Sequence, residues 1–159
     1  MKIRNVFYIG LLFLISTLGF AQGNFFLDSN GVTVKCTNCV AGDTGVVNGL
    51  TYTAHDVTSL YLKSKDDNDW DRVCTSLVSQ TSYLFANFPD FNQDISSWDV
   101  SSVTNMSSTF HTANSFNQDL SSWNVDNVTI YCGGFCYGAD SWTLPKPNFT
   151  NCSYDLGCN

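Results

Sequence analysis

Glutamate is absent from the chain, and all 14 acidic residues are aspartates. Basic residues are also scarce, because only 7 are Lys or Arg, and the formal net charge is −7 at pH 7. This charge argues against nucleic acid or an anionic membrane surface as a partner, since both repel a negative protein. Without glutamate, the acidic segment 66–71 lacks the distal ligand of an EF-hand calcium loop. We interpret it as a solvated loop and expect neither a metal nor a cofactor.

Beyond residue 20 the sequence has no apolar run long enough to cross a membrane, which takes roughly 20 apolar residues. The first 21 residues instead have the parts of a secretory signal peptide. Lys2 and Arg4 precede an apolar stretch, and Gly19 and Ala21 stand where a signal peptidase reads small residues. We therefore expect residues 1–21 to be removed and the mature chain to be secreted or displayed at the cell surface, without a membrane span. An uncleaved anchor is the alternative.

Proline is rare, with 3 residues, whereas Ser, Thr and Asn are abundant. These short polar side chains bond to nearby backbone in turns and caps, which favours a turn-dense domain of extracellular type. Disorder is not expected, because 12 Phe, 7 Tyr and 4 Trp supply apolar area for a core.

The dominant feature of the sequence is an internal repeat. Residues 91–115 and 116–140 both begin with Phe-Asn-Gln-Asp, and 11 of their first 20 positions are identical. A weaker copy precedes them at the same offset over residues 66–90. We therefore divide the mature chain into an N-terminal part over 22–65, three 25-residue repeats over 66–140, and a tail over 141–159.

Within a repeat the apolar spacing changes character. The alternation from Trp98 to Ser101 predicts a short strand, and Met106, Phe110 and Ala113 recur at the spacing of one helix face. A strand, a turn and a short helix every 25 residues predict an α/β fold, a short right-handed leucine-rich-repeat-like solenoid of about three coils. Stacked coils place Trp98 on Trp123 and Phe110 on Phe135, with neighbouring strands pairing in parallel.

The N-terminal part over 22–65 is predicted to be a β-rich cap with one helix. Asn48-Gly49 stands between β-forming residues and predicts a hairpin over 46–52. Asp56 is the expected N-cap of a helix over 57–64, with Leu60 and Tyr61 facing inward. The tail contains Pro145 and Pro147, which cannot extend a ladder, so we interpret it as the opposite cap.

The segment FNQDISSWDVSSVTNMSSTF resembles the repeat of the BspA-like leucine-rich repeat surface proteins, which also occurs in mycoplasma-type lipoproteins. The preceding LDSNGVTVKC…GDTGVVNGLTYT and the later SWTLPKPNFTNC resemble the caps of secreted bacterial members. The resemblance implies a bacterial protein that is secreted or surface-associated and acts in interaction or adhesion. It implies no catalytic residues.

Seven cysteines fit an exported chain, in which thiols pair as disulfides. Their number is odd, so at least one thiol stays free or pairs between chains. All seven are candidates for structural disulfides: Cys36, Cys39, Cys74, Cys132, Cys136, Cys152 and Cys158.

Cys36 and Cys39 have the spacing of a redox motif, but they follow a predicted strand and do not open a helix. We favour a bridge from one of them to Cys74, and keep a thiol-redox enzyme as a minor alternative. In the C-terminal half, a bridge from a repeat cysteine to a tail cysteine competes with a local Cys152–Cys158 loop. A zinc site is disfavoured by the spacing.

The strand alternation also predicts a polar face, because Trp98 and Trp123 must point inward. The candidate binding residues on that outward face are Asp99, Ser101, Asn124 and Asp126. His55 and His111 occupy no recognisable catalytic setting. We therefore expect a non-catalytic repeat protein that binds a protein or glycan at a cell surface or in the extracellular matrix. A purely structural module without a ligand of its own is the alternative.

Overall fold

A computed structural model describes residues 23–158, so the predicted signal peptide lies outside the described residues. All of the strands and helices in this part of the chain lie between Asn24 and Leu77. The strands are β1 (Asn24–Leu27), β2 (Val34–Thr37), β3 (Thr44–Val47), β4 (Leu50–Asp56) and β5 (Val73–Leu77), with helix α1 (Val57–Leu62) and a 3-10 helix (Trp70–Arg72) between β4 and β5.

The strands form two small sheets. β1 and β2 pair antiparallel, and β3, β4 and β5 form a second sheet in that order. The predicted hairpin is confirmed, because β3 and β4 pair antiparallel around Asn48 and Gly49. Both turn residues have positive φ, 51° and 80°, as a two-residue turn of this kind requires. β5 then joins β4 in parallel.

Asp56 caps α1, as predicted. Its carboxylate accepts hydrogen bonds from the backbone amide and hydroxyl of Ser59, while the Asp56 amide donates to the Ser59 hydroxyl. This reciprocal capping satisfies amides that the first helical turn leaves unpaired. The helix is shorter than predicted and ends at Leu62. Leu60 is buried, but Tyr61 is 37% exposed, so the prediction of an inward Tyr61 is wrong.

The predicted fold class is wrong. The described residues, 23–158, form a small mixed structure dominated by two sheets with one α-helix, and no coil of strand plus α-helix forms over residues 91–140. Between residues 78 and 158 the only β-pairing is a pair of isolated parallel bridges, Gln80 with Asn105 and Asn105 with Tyr131. The alternating segment from Trp98 to Ser101 is not a strand.

Consecutive tight turns replace the predicted helix. The amide of Thr109 donates to the Met106 carbonyl, and that of Ala113 donates to the Phe110 carbonyl, so each bond closes over three residues. Ser108, inside the first of these turns, has a φ of 54°, which a right-handed helix excludes. Met106, Phe110 and Ala113 are all buried. Their spacing therefore identified the inward side correctly but not the backbone conformation.

Alternate amides in these turns bond to the following repeat, which explains why no helix forms. The amides of Ser108 and Phe110 donate to the carbonyls of Gly133 and Phe135 at 3.0 and 2.8 Å. The amide of Thr109, between them, bonds within its own turn. An α-helix directs every interior amide to the residue four positions earlier, so it leaves none for a neighbour. These amides can therefore bond to the next repeat or form a helix, but not both.

Aromatic rings from successive repeats form the main core. Trp98 stacks on Trp123 with ring centroids 6.1 Å apart and planes 8° from parallel, as predicted. Phe91 stacks on Phe116 in the same way, at 5.9 Å and 4°. All four rings belong to one buried cluster. The copies therefore lie side by side with equivalent rings in contact.

The register between copies changes by one residue after Val128. The bridge from Gln80 to Asn105 spans 25 residues, but the bridge from Asn105 to Tyr131 spans 26. His111 consequently stacks on Tyr137, with ring centroids 5.3 Å apart, and does not match Cys136 as the 25-residue alignment predicts. Phe110 does contact Phe135, but edge to face.

The described part of the tail, residues 141–158, has no strand or helix and is attached by disulfides. Cys132 pairs with Cys152, and Cys136 pairs with Cys158. The prediction of a bridge from a repeat cysteine to a tail cysteine is confirmed, and the alternative Cys152–Cys158 loop does not form. Pro145 also contributes, since its carbonyl accepts a hydrogen bond from the amide of Leu120.

Candidate binding site

A polar recess lies where the β1–β2 sheet meets the repeats. It is a cavity of about 170 Å³. Asp28, Asn30 and Lys35 line it from the N-terminal side. Asp99, Ser101 and Asn124, three of the predicted binding residues, line it from the repeats. We call this cavity the polar recess.

Hydrogen bonds from β2 hold the β1–β2 sheet over the repeats. The amide of Val34 donates to the Ser97 carbonyl at 2.8 Å, and the amide of Cys36 donates to the Ser76 hydroxyl at 3.0 Å. β2 alternates its side chains, so buried Val34 and Cys36 point into the core while Lys35 between them reaches the recess. The N-terminal wall is therefore positioned by hydrogen bonds from the backbone amides of β2, which the sequence did not reveal.

The loop between β1 and β2 is ordered by Asn30. Its side-chain oxygen accepts hydrogen bonds from the amides of Val32 and Thr33, and its side-chain nitrogen donates to the Thr33 hydroxyl. The amide of Asp28 donates to the Thr33 carbonyl, which closes the loop. Local bonding of this kind is the usual reason that asparagine occurs in turns.

Lys35 and Asp28 form an ion pair on the N-terminal wall. Lys35 Nζ lies 2.7 Å from Asp28 Oδ2, and both side chains are partly exposed. The hydrogen bond from Lys35 lowers the pKa of Asp28, helped by the amide of Ser29. The same bond to Asp28 raises the pKa of Lys35. Both groups are therefore charged at neutral pH, and the recess offers a cation and an anion side by side.

Asp99 is a buried structural carboxylate, and the prediction that it is exposed on the outward face is wrong. Only 6% of it is exposed, because the β1–β2 sheet covers this part of the face. One carboxylate oxygen accepts a hydrogen bond from the Ser76 hydroxyl at 2.8 Å. The other accepts from the amide and the hydroxyl of Ser101, at 3.2 and 2.6 Å. Both oxygens of the Asp99 carboxylate therefore have hydrogen-bond donors from the protein, without a ligand.

The other predicted residues are distributed across the rim. Ser101 is half-buried and Asn124 is exposed. Asp126 is exposed but lies beside the recess, and its amide donates to the Asn124 side chain. Sequence reasoning missed Asp28, Asn30 and Lys35, because no local signal shows that β1 and β2 fold over the repeats.

A second groove continues the polar surface. It has a volume of about 320 Å³ and shares Ser122 with the polar recess. Asp94 and Asp119 line it, 25 residues apart. Asp119 accepts hydrogen bonds from the hydroxyl and amide of Ser121, and these bonds lower its pKa. Both aspartates are exposed, so this groove is acidic.

The remaining candidate residues do not assemble into a site. His55 lies in β4, next to the start of α1. His111 stacks on Tyr137 at the surface, so the two histidines have different neighbours. In segment 66–71, Asp67 and Asp69 both pair with Lys63. Across residues 23–158, no three His, Cys or Asp side chains are arranged to hold a metal ion. In that same part of the chain, no helix is both long and apolar enough for a membrane crossing.

A family model described as "Mycoplasma protein of unknown function, DUF285" matches residues 54–150. The chain belongs to this DUF285 family. The DUF285 match begins within β4 and covers α1, β5 and all of the repeats that carry Ser101 and Asn124. The residues of the N-terminal wall precede it. No curated protein and no solved structure matches the chain.

Proposed function

We propose that this DUF285 chain is an exported, non-catalytic interaction protein of the BspA-like surface type, which binds a protein or glycan through the polar recess. The observation that carries the proposal is the mixed charge of the recess. Lys35 and Asp28 lie on one wall, with Ser101 and Asn124 on the other. The sequence-based expectation of export and surface display is part of the proposal.

The recess suits a ligand rich in hydroxyl, amide or paired charged groups. Lys35 donates and Asp28 accepts. The Ser101 hydroxyl, which already donates to Asp99, can accept, and the side-chain nitrogen of Asn124 can donate. Trp98 borders the cavity, but it is 1% exposed and offers no ring face for stacking a sugar. Hydrogen bonding therefore dominates recognition, and the backbone bonds that hold β2 keep the reorganisation on binding small.

The composition of the recess favours binding over catalysis. The described residues that line it include neither histidine nor cysteine, the usual base and thiol nucleophile of hydrolytic sites. The buried carboxylate of Asp99 already accepts hydrogen bonds from Ser76 and Ser101. A group with these bonds is poorly placed to abstract a proton from a substrate.

The test is binding of the purified mature chain to arrays of glycans and of extracellular matrix proteins. For any ligand found, the double variant Lys35→Met/Asn124→Ala is expected to bind at least about tenfold more weakly, because it removes one contact from each wall. The matched control is Asp90→Ala/Asn114→Ala, which changes two exposed residues outside the recess and leaves affinity unchanged.

Two results contradict the proposal. Equal loss of affinity in the control and the recess variant shows that the ligand does not use the recess. A folded chain that binds nothing on either array favours a structural module instead. Thermal melting of each variant shows whether the fold is retained.

A further inference from the structure

Three cysteines are free and lie together beneath the β1–β2 sheet, so the structure does not contain the bridge predicted from Cys36 or Cys39 to Cys74. Cys36 lies in β2, Cys39 follows that strand, and Cys74 lies in β5. They belong to the smaller apolar cluster, which also contains Val34 and Tyr52. We call them the thiol trio.

Cys36 is the central member of the trio. It shares a buried apolar cluster with Cys74, and Cys39 packs against that cluster. Cys36 and Cys74 are 6% and 0% exposed, whereas Cys39 is only partly buried. The thiol of Cys74 donates to the Val34 carbonyl, at 3.6 Å. The three thiols thus differ in burial. That of Cys39 is accessible, that of Cys36 is nearly buried, and that of Cys74 is fully buried.

We propose that the thiol trio is a thiol–disulfide exchange site, in which a low-molecular-mass disulfide reacts at Cys39 and the final product is a Cys36–Cys74 bridge. The inference does not depend on the proposed function, because its product is a covalent bond within the chain. It differs from a redox enzyme, since the oxidised chain itself is the product.

Each step of the exchange is balanced. The Cys39 thiolate attacks the disulfide RSSR, forms a Cys39–SR bond and releases RS⁻, which takes up the proton that Cys39 lost. The Cys36 thiolate then attacks the Cys39 sulfur, forms Cys36–Cys39 and releases the second RSH. Finally Cys74 attacks the Cys36 sulfur, forms Cys36–Cys74 and returns Cys39 as a thiol. Two protein thiols are oxidised and one RSSR is reduced.

Burial supports Cys39 as the point of entry. Desolvation raises the pKa of Cys36, and the interaction with Cys39 raises it further. Desolvation also raises the pKa of Cys39, but the interaction with Cys36 lowers it. The Cys36 thiol therefore forms a thiolate less readily. Because Cys36 and Cys74 are buried and Cys39 is partly exposed, an external disulfide reaches Cys39 first.

The bridge has a structural consequence. Cys36 belongs to the strand that positions Lys35, and Cys74 lies within the DUF285 match. A Cys36–Cys74 bond therefore ties the N-terminal wall of the polar recess to the repeats. Reduction leaves that wall held by hydrogen bonds and by the apolar packing of Val34.

Tryptic digestion distinguishes the possible bridges. Cleavage after Lys35, Lys63 and Arg72 places Cys36 and Cys39 in one peptide, 36–63, and Cys74 in another that begins at Val73. A Cys36–Cys39 bridge makes peptide 36–63 lighter by two hydrogens. A bridge to Cys74 joins the two peptides until they are reduced. The full mature chain is exposed to glutathione disulfide, quenched with an alkylating agent at intervals and mapped by mass spectrometry.

In the wild-type chain we expect glutathione on peptide 36–63 first, then its internal bridge, then the joined peptides with Cys39 alkylated. Cys74→Ser is expected to stop at the internal bridge. Cys39→Ser is expected to form the joined peptides at least about tenfold more slowly, because the accessible thiol is gone. The four tail cysteines serve as the internal control, since their bridges persist throughout.

The proposal is overturned if the joined peptides never form while both tail bridges are intact. It is also overturned if Cys39→Ser reaches the joined product as fast as the wild type. The order of products in the wild-type chain decides the question even where a variant does not fold. A first product that already joins the two peptides contradicts entry at Cys39.

Discussion

At the residue scale, Trp98 illustrates how the repeats are held together. Its ring lies 5.9 Å from that of Trp70 and 6.1 Å from that of Trp123, so it contacts both neighbouring copies. Its indole nitrogen donates to the Trp70 carbonyl at 3.1 Å. The one polar atom of a buried ring is thereby satisfied. Such a residue contributes both packing and a directed bond between copies.

We predict that Trp98→Ala lowers the free energy of unfolding by about 3–5 kcal/mol, because it leaves a cavity between two aromatic neighbours. The control is Leu62→Ala, at a side chain 80% exposed, which is expected to change that free energy by less than about 0.5 kcal/mol. Urea unfolding followed by tryptophan fluorescence and circular dichroism measures both. Near-native stability of Trp98→Ala would count against its place in the core.

Asp99→Ala is predicted to destabilise the protein by roughly 1–3 kcal/mol, since it removes the acceptor of the Ser76 and Ser101 hydrogen bonds. Asp126→Ala removes an exposed carboxylate and is expected to have an effect below about 0.5 kcal/mol. Chemical unfolding of the two variants side by side provides the comparison. Equal effects would show that burial of Asp99 contributes no stability.

At the element scale, the turns of the repeats depend on left-handed backbone positions. Ser108 and Thr112 occupy them in one copy, with φ of 54° and 57°. Gly134 and Gly138 occupy them in the next, with φ of 64° and 73°. A side chain at such a position costs about 1–2 kcal/mol relative to a right-handed one. The spacing of the apolar residues does not indicate where a positive φ is needed. It therefore predicted a helix.

Gly138→Ala is therefore expected to lower the free energy of unfolding by about 1–2 kcal/mol, through its positive φ. An added Cβ also meets Thr112, with Cγ2 at 3.2 Å and Cα at 3.4 Å. Gly133 offers a matched control in the same segment, because its nearest contact is Tyr154 Cβ at 3.9 Å and its φ is not positive. Gly133→Ala should leave the urea midpoint nearly unchanged; a similar loss in both variants would refute the role of the left-handed conformation.

At the scale of the whole molecule, disulfides join the tail to the last repeat. Cys132 and Cys152 are 20 residues apart, and Cys136 and Cys158 are 22 apart. The tail also supplies carbonyls to the last copy, since the amides of Gly134 and Cys136 donate to Asp155 and Leu156. The bridges therefore hold the tail in place, although it has no regular secondary structure. Its carbonyls then accept hydrogen bonds from amides of the last repeat.

Removing one bridge with Cys132→Ala/Cys152→Ala is predicted to cost about 2–4 kcal/mol, mainly by releasing the unfolded chain from its loop. The measurement is the urea midpoint of variant and wild type without reductant. In excess reductant the two midpoints should approach each other, because neither chain then has bridges. A difference that persists unchanged in reductant would show that the loss comes from packing and not from the bridge.

The parts of the fold that were predictable depend on short-range chemistry. Asn48-Gly49 determines its own turn, and Asp56 caps the helix that begins beside it. The stacking of Trp98 on Trp123 was also predictable, because identical side chains at equivalent positions must find equivalent surroundings. The predicted binding surface was only partly located. Ser101 and Asn124 line the polar recess, but Asp99 is buried beneath the β1–β2 sheet.

The sequence by itself determined the period of the repeat, the inward aromatic side and the hairpin, because each rests on residues close together or on direct internal identity. Tertiary structure alone decided three other features. Alternate amides bonded to the next copy instead of forming a helix, the register moved by one residue near Ile130, and β2 covered Asp99. Each of these depends on which distant backbone group satisfies a given donor, and no local pattern of side chains specifies that partner.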